Sequence, residues 1–283
     1  MLRFNYGLEL TWHRPDEIPF GFIEAAKGYA KERLVRQCRR NRLRGGRPHV
    51  EFEEADDTIE VNSPVLKSEG ELEKFWYIAT QIASDFDLKI CNDEYSSGGG
   101  HLHVNPKRSR WSVYALDRIY TDAAYRPYLN WVFNDPEDNE CANTLYGARL
   151  DNNHSLFQFE NNKSRALNFC NRLRGAASTL EVRFFEMPRS FEEQMLHVEF
   201  VDRWLSWAIE KAPKRSLPQL SDNGWYDYRR DAEVGRWLDS WTFDQARDAF
   251  NALLKTIGLE ALAYDVFVER NLRTRFLRGY RRT

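Results

Sequence analysis

The chain has 283 residues, 42% of them hydrophobic and 14% aromatic, which is enough to bury a substantial core in one large domain or two small ones. Its 41 basic and 43 acidic residues leave a net charge of −2, so attraction for a polyanion has to come from local clusters. No run of about 18 apolar residues and no charged-then-apolar leader occurs, so the sequence predicts no helical membrane span, no secretory signal and a cytoplasmic protein.

Residues 4–13 read as a strand in which Leu8 and Leu10 alternate with Glu9, Thr11 and His13. From Phe20 to Cys38 the apolar positions Phe22, Ile23, Ala26, Ala30 and Leu34 recur at helical spacing. Lys31, Arg33, Arg36, Arg39, Arg40, Arg42, Arg44 and Arg47 form a basic cluster over the end of this helix. A solvated helix face and a surface for nucleic acid or another polyanion are both open readings of it. His49 to Glu54 and Thr58 to Val65 read as further strands, the second ended by Ser63-Pro64 because proline has no amide hydrogen for a ladder bond. Glu71 to Phe86 is helical, with Leu72, Phe75, Trp76, Ala79, Ala83 and Phe86 as its apolar stripe.

The stretch from Ser96 to Asn105 carries the strongest local signal. Gly98, Gly99 and Gly100 permit backbone conformations that side chains forbid and allow a ligand close to the main chain. Leu102 and Val104 then alternate with His101, His103 and Asn105, a strand with one apolar and one imidazole-bearing face. Such a face could bind a divalent metal, hold a phosphate or form a hydrogen-bonded structural pair. Trp111 to Phe133 is expected to be helical, and residues 134–143 loop-like without the character of an interdomain linker. Arg165 to Phe169 and Thr179 to Glu186 are strands, and the second sets Glu181, Arg183 and Phe185 on one face.

Beyond Pro188 the pattern becomes helical. Ser190-Phe191-Glu192-Glu193 and Thr242-Phe243-Asp244-Gln245 both match a capping box, and Gly258 is placed to stop the second helix. A second arginine cluster runs from Arg270 to Arg282. The four cysteines, Cys38, Cys91, Cys141 and Cys170, form no CxxC pair and read as reduced thiols.

The polar faces of the strands therefore contribute Glu9, Glu60, His101, His103, Glu181 and Arg183. Converging carboxylates repel unless cations neutralise them, and a carboxylate-and-imidazole set suits magnesium or manganese. The succession Tyr6-Gly7-Leu8-Glu9-Leu10, Ile59-Glu60-Val61-Asn62-Ser63-Pro64, Gly99-Gly100-His101-Leu102-His103-Val104, Arg165-Ala166-Leu167-Asn168 and Thr179-Leu180-Glu181-Val182-Arg183 resembles the amidoligase family. That family comprises carboxylate–amine ligases related to glutamine synthetase and gamma-glutamylcysteine synthetase.

The resemblance implies an α+β fold with a curved, mainly antiparallel sheet of the glutamine synthetase catalytic-domain type over residues 1–188. Residues 189–283 would form a helical extension packed on it. It implies an ATP- and Mg2+-dependent ligase, with Mn2+ as a substitute, that joins a small-molecule or peptide carboxylate to an amine through an acyl phosphate. On this resemblance Glu9, Glu60, His101 and Glu181 hold the metals. Arg183 and His103 are the catalytic candidates, and Gly99, Gly100, Asn105 and Arg165 contact the nucleotide. One departure is that the family's opening strand reads Gly-x-Glu-x-Glu, whereas Thr11 stands at the second acidic position here, with His13 two residues further along the same face. The alternative is a catalytically silent relative that recognises nucleic acid or another acidic partner through its arginine clusters.

Overall fold

β1 (Phe4–His13) is the strand on which the fold is built. Tyr6, Leu8, Leu10 and Trp12 are buried on one face, while Gly7, Glu9 and Thr11 lie on the other, as the two-residue period of a strand requires. The computed structural model describes residues 1–13, 20–53, 58–85, 88–90, 99–107, 111–126, 128–133, 167–168, 179–213 and 241–277. Among these, β1 is joined by β2 (His49–Glu53), β3 (Thr58–Asn62), β4 (Lys89–Ile90), β5 (His101–Pro106), β6 (Leu167–Asn168) and β7 (Leu180–Val182). All pair antiparallel in the order β2-β3-β1-β5-β7-β6, and β4 also pairs with β1.

Register sorts the two faces. Leu8 lies opposite Leu102, Leu102 opposite Val182, Leu10 opposite Val61 and Trp12 opposite Ile59, which makes one continuous apolar surface. The same pairing sets Glu9 opposite both His101 and Asn62, His103 opposite both Gly7 and Glu181, and Thr11 opposite Glu60. A slip of one residue would turn these polar groups into the core, so burial of the apolar face fixes the polar face as well.

Helices α1 (Phe20–Arg40) and α2 (Glu69–Asp85) pack against each other, and α1 also packs on β2. The expected helix from 111 to 133 is two helices, α3 (Val113–Ala124) and α4 (Tyr128–Phe133). Pro127 between them has no amide hydrogen and disfavours helical backbone in the residue before it. Arg126 crosses the break, binding the Asp122 carboxylate through Nε (2.7 Å) and the Tyr128 hydroxyl (2.8 Å).

The C-terminal helices are α5 (Phe191–Glu210), α6 (Phe243–Ile257) and α7 (Ala261–Phe267), followed by a π-helical stretch (Val268–Leu272) and α8 (Arg273–Leu277). The capping box of α6 is complete, and Gly258 ends that helix at φ 76°. At α5 the Ser190 hydroxyl caps the Glu193 amide, but the Glu193 carboxylate accepts from Arg189 rather than from Ser190 and also holds Arg270.

Helix α1 ends in a Schellman motif. The Leu43 amide donates to Cys38 and the Arg42 amide to Arg39, with Leu43 and Cys38 both buried. Arg42 occupies the left-handed position normally given to glycine, at φ 60°, which costs about 1 kcal/mol. The following loop is pinned at Gly45, whose carbonyl accepts the Val65 amide at 3.0 Å and where a Cβ would stand 2.0 Å from the Val65 carbonyl oxygen.

One core unites the helices on either side of Pro188. Phe133 of α4 meets Phe184, Phe185, Phe200, Phe250 and Phe267 at ring-centroid distances of 4.7 to 5.9 Å. Asp202 of α5 accepts from the Arg3 amide (2.8 Å) and the Tyr6 hydroxyl (2.9 Å), fastening the helix to the start of β1.

His197 of α5 is wholly buried and stacked on Phe185 at 4.3 Å, with no hydrogen-bond partner for either ring nitrogen. Burial, with the nearby Arg270 charge adding to it, holds its pKa well below the usual histidine value. The unfolded chain therefore takes up a proton near pH 6.5 that the folded chain refuses, and stability falls as pH drops below that value. The slope due to this residue is about 1.4 kcal/mol per pH unit. Chemical denaturation between pH 7.5 and 5.5 should show a steeper loss for the wild type than for His197→Phe; equal slopes would exclude this origin.

Candidate functional site

Glycine at position 7 makes room at the centre of the polar face. A Cβ there would stand 3.2 Å from the His103 Cβ, a tight contact that glycine avoids. Glu9 then spans the two histidines: its Oε1 lies 2.5 Å from His101 Nδ1 and its Oε2 3.0 Å from His103 Nε2. His101 Nδ1 is also 3.6 Å from Glu181 Oε1, and Glu181 pairs with Arg183, two residues along the same strand face. Glu9, His103 and Glu181 each offer a ligand atom, and the three atoms lie within 4.8 Å of one another.

The electrostatics keep the two carboxylates of this set ionised. Burial pushes the Glu9 carboxyl upward, but the facing His101 and His103 outweigh it and hold it well below the usual carboxylate range. Burial likewise opposes ionisation of Glu181, and Arg183, His101 and His103 together keep its pKa lowered. For His103 burial acts to lower the pKa, yet the hydrogen bond to Glu9 and the charges of Glu181, Glu9 and Glu60 raise it. Two ionised carboxylates beside an imidazole are a donor set for a hard divalent cation.

The residues expected from sequence distribute unevenly around this cluster. His101 faces both carboxylates, 2.5 Å from Glu9 and 3.6 Å from Glu181, and His103 joins Glu9 and Glu181 in the trio. Glu60 lies outside it, half-buried, accepting from Asn62 Nδ2 at 2.5 Å. Thr11 donates to the Gly99 carbonyl at 3.2 Å, so the position of the family's second acid supports the backbone before β5. Asn105 is on the same face as His103, two residues on and half-buried. Arg165, Gly98 and the His13 side chain lie outside the described residues.

Gly99 and Gly100 are explained by close packing within the chain. A Cβ on Gly99 would fall 2.2 Å from His101 Nε2, and one on Gly100 would fall 2.6 Å from the Glu186 carbonyl oxygen and 2.7 Å from Pro188 Cδ. Gly99 also forms a bridge with Glu186, and the Gly100 amide donates to Phe185. Close packing within the chain by itself therefore calls for glycine at both positions.

A polar network missed by the sequence reading backs this segment. The buried Glu186 carboxylate accepts from Arg270 and, at 3.1 Å, from Asn271 Nδ2, which also reaches the Val132 carbonyl at 3.0 Å. Arg270 binds Glu193 as well (2.8 Å). The only sequence signal was an acidic residue directly after the apolar pair Phe184-Phe185. A cleft of about 680 Å³ lies elsewhere, between the first residues of the chain and α5, lined by Arg3, Glu199, Asp202, Arg203, Trp207 and Glu210 among others; no residue of the carboxylate–histidine cluster lines it.

Comparison with solved structures matches the whole chain to 68% of a novel glutamine synthase homolog, with a TM-score of 0.53 and 13% sequence identity. The chain has that protein's fold. The α+β architecture and antiparallel sheet expected from the resemblance are therefore present. The complex between the prokaryotic ubiquitin-like protein Pup and its ligase PafA also aligns, over 98% of this chain and 64% of that one, at 12% identity and a TM-score of 0.39, below the level of a shared fold. No protein-family model and no curated protein matches the sequence. No described helix is long and apolar enough to cross a membrane.

Proposed function

We propose that this protein is an ATP- and Mg2+-dependent carboxylate–amine ligase. The observation that carries the reading is the Glu9–His103–Glu181 cluster, flanked by Arg183 and His101, on the polar face of a glutamine-synthase-like sheet. A shared fold at low identity does not by itself bring chemistry; the residues of the site do.

The donor set fits a magnesium or manganese ion, because it offers two carboxylates held ionised and one imidazole within reach of a common point. Glu9, His103 and Glu181 would hold it, and once bound it would offset the negative charge of the ATP phosphates. Arg183 supplies a permanent positive charge beside Glu181, suited to a phosphoryl group in transfer or to a substrate carboxylate.

A carboxylate is a poor acyl donor because oxide would have to leave. In the proposed reaction a substrate carboxylate oxygen bonds to the γ-phosphorus of ATP as the bond to ADP breaks, giving an acyl phosphate. The amine nitrogen then bonds to the acyl carbon, phosphate leaves, and the amine proton passes to a base.

Thr11 favours a second reading, a silent relative that retains the sheet, because a hydroxyl engaged with Gly99 replaces a carboxylate. Calorimetric titration with a non-hydrolysable ATP analogue separates the two. The ligase reading expects binding that requires magnesium and disappears with EDTA, and then phosphate release when amines and carboxylates are screened with ATP. No binding by the wild type would overturn it in favour of the silent relative.

A further inference from the structure

The two arginine clusters have different fates. In the C-terminal one Arg270 is tied to Glu186 and Glu193, Arg273 pairs with Glu269 and lies over Phe243, and Arg275 lies over Trp131 at 5.0 Å. Those cations are engaged within the fold. From 33 to 48 the chain carries seven arginines with no lysine and no acidic residue. Only Arg33 turns inward, to Asp85 of α2. Arg36, Arg39, Arg40, Arg42, Arg44 and Arg47 are exposed, and none makes an ion pair or side-chain hydrogen bond with a described residue.

The array is built rigidly. Ala30, Leu34 and Cys38 are the buried side of α1, which places Arg36 and Arg40 on the opposite side, two positions along from Leu34 and Cys38. The Schellman turn and the Gly45–Val65 contact then fix the course of the chain that carries Arg42, Arg44 and Arg47. Arg42 adds an independent observation. It holds the left-handed position where glycine is most comfortable, and it is the one non-glycine residue with positive φ among those described. Folding favours glycine there, and the chain instead places an exposed guanidinium at this strained position, as at sites where strain serves a function.

We propose that Arg36, Arg39, Arg40, Arg42, Arg44 and Arg47 form a docking surface for the phosphate backbone of nucleic acid. Guanidinium groups present a planar fork that matches phosphate oxygens bidentately, and six of them with no acidic residue interspersed complement the dense, regularly spaced charge of a phosphate backbone. Fixing the backbone that carries the arginines lowers part of the ordering cost of binding. This inference is independent of the ligase reading, since none of these residues belongs to the Glu9–His103–Glu181 cluster.

Fluorescence anisotropy of full-length protein with labelled 20-nucleotide DNA and RNA strands and a 20-base-pair duplex, from 50 to 200 mM salt, tests it. Binding at 50 mM should weaken with added salt, and the Arg39→Gln/Arg40→Gln/Arg42→Gly variant should lose at least tenfold in affinity and about three in the log–log salt slope. Arg42→Gly alone should raise the melting temperature by about 2–4 °C while reducing the slope by about one, a combination that a purely structural arginine would not give. Absence of binding at 50 mM, or undiminished binding by the triple variant, would overturn the proposal. Displacement by polyglutamate as effective as by unlabelled DNA would also overturn it and make the surface one for acidic protein.

Discussion

Glu9→Gln is expected to remove divalent-cation binding at the sheet centre, lowering affinity for Mg2+ or Mn2+ at least 100-fold. Glu9 reaches both histidines, and it shares the ligand trio with His103 and Glu181. Glutamine preserves its shape and can still accept a hydrogen bond, but the charge that the cation needs is gone. The readout is the metal-induced rise in stability. At 100 times the dissociation constant, a ligand specific for the folded state adds about 2.7 kcal/mol, which the wild type should gain and the variant should lose. The metal-free variant should be weaker by about 1–3 kcal/mol, because charged hydrogen bonds become neutral ones. Glu51→Gln, at an exposed acid on β2, provides the control and should keep the metal response. If Glu9→Gln keeps it too, the cluster is a structural ion-pair network and the ligase reading loses its central support.

Arg270→Ala should be the most damaging single change to stability, costing about 3–5 kcal/mol. Arg270 is the shared counter-charge of Glu186 and Glu193 and lies over the Phe267 ring at 5.4 Å. Burial already pushes the Glu186 carboxyl upward against the opposing effect of Arg270, so removing the arginine leaves a buried carboxylate with Asn271 as its hydrogen-bond donor and Arg189 as the nearby charge. At about 2–4 °C per kcal/mol the melting temperature should fall by roughly 10 °C. Adding Glu186→Gln should recover part of the loss, because a neutral amide tolerates burial better than an unpaired charge. A drop below 2 °C for Arg270→Ala would mean that Glu186 and Glu193 find other partners.

Both changes act near the same backbone. Glu186 forms the bridge to Gly99, Gly99 accepts from Thr11, and the His101 ring packs against Gly99. The C-terminal helices therefore brace the segment that delivers β5 to the cluster, and damage at Arg270 should also weaken metal binding without altering a ligand.

What the sequence determined by itself was local. Alternation in residues 4–13 and 101–105 placed Glu9, His101 and His103 on polar strand faces, because side chains on a strand point alternately to its two sides. The Thr242 capping box and the Gly258 stop were equally legible, since each depends on residues within one helical turn. The break between α3 and α4 was not anticipated, because the wide aromatic pattern from Trp111 to Phe133 reads as continuous helix although Pro127 stands within it.

Only the tertiary structure decided which polar residues meet. That Glu9 meets both His101 and His103, with Glu181 beside them, depends on the register between β1, β5 and β7 and on the small residue at Gly7. Glu186 and Arg270 are separated by 84 positions, and no local periodicity connects them. The fates of the arginine clusters were likewise undecided in one dimension. Charge density is a property of sequence, but whether a guanidinium is neutralised depends on which carboxylate the fold brings within a few ångströms. Packing supplied such partners for Arg270 and Arg273 and supplied none among the described residues for Arg39, Arg40 or Arg42.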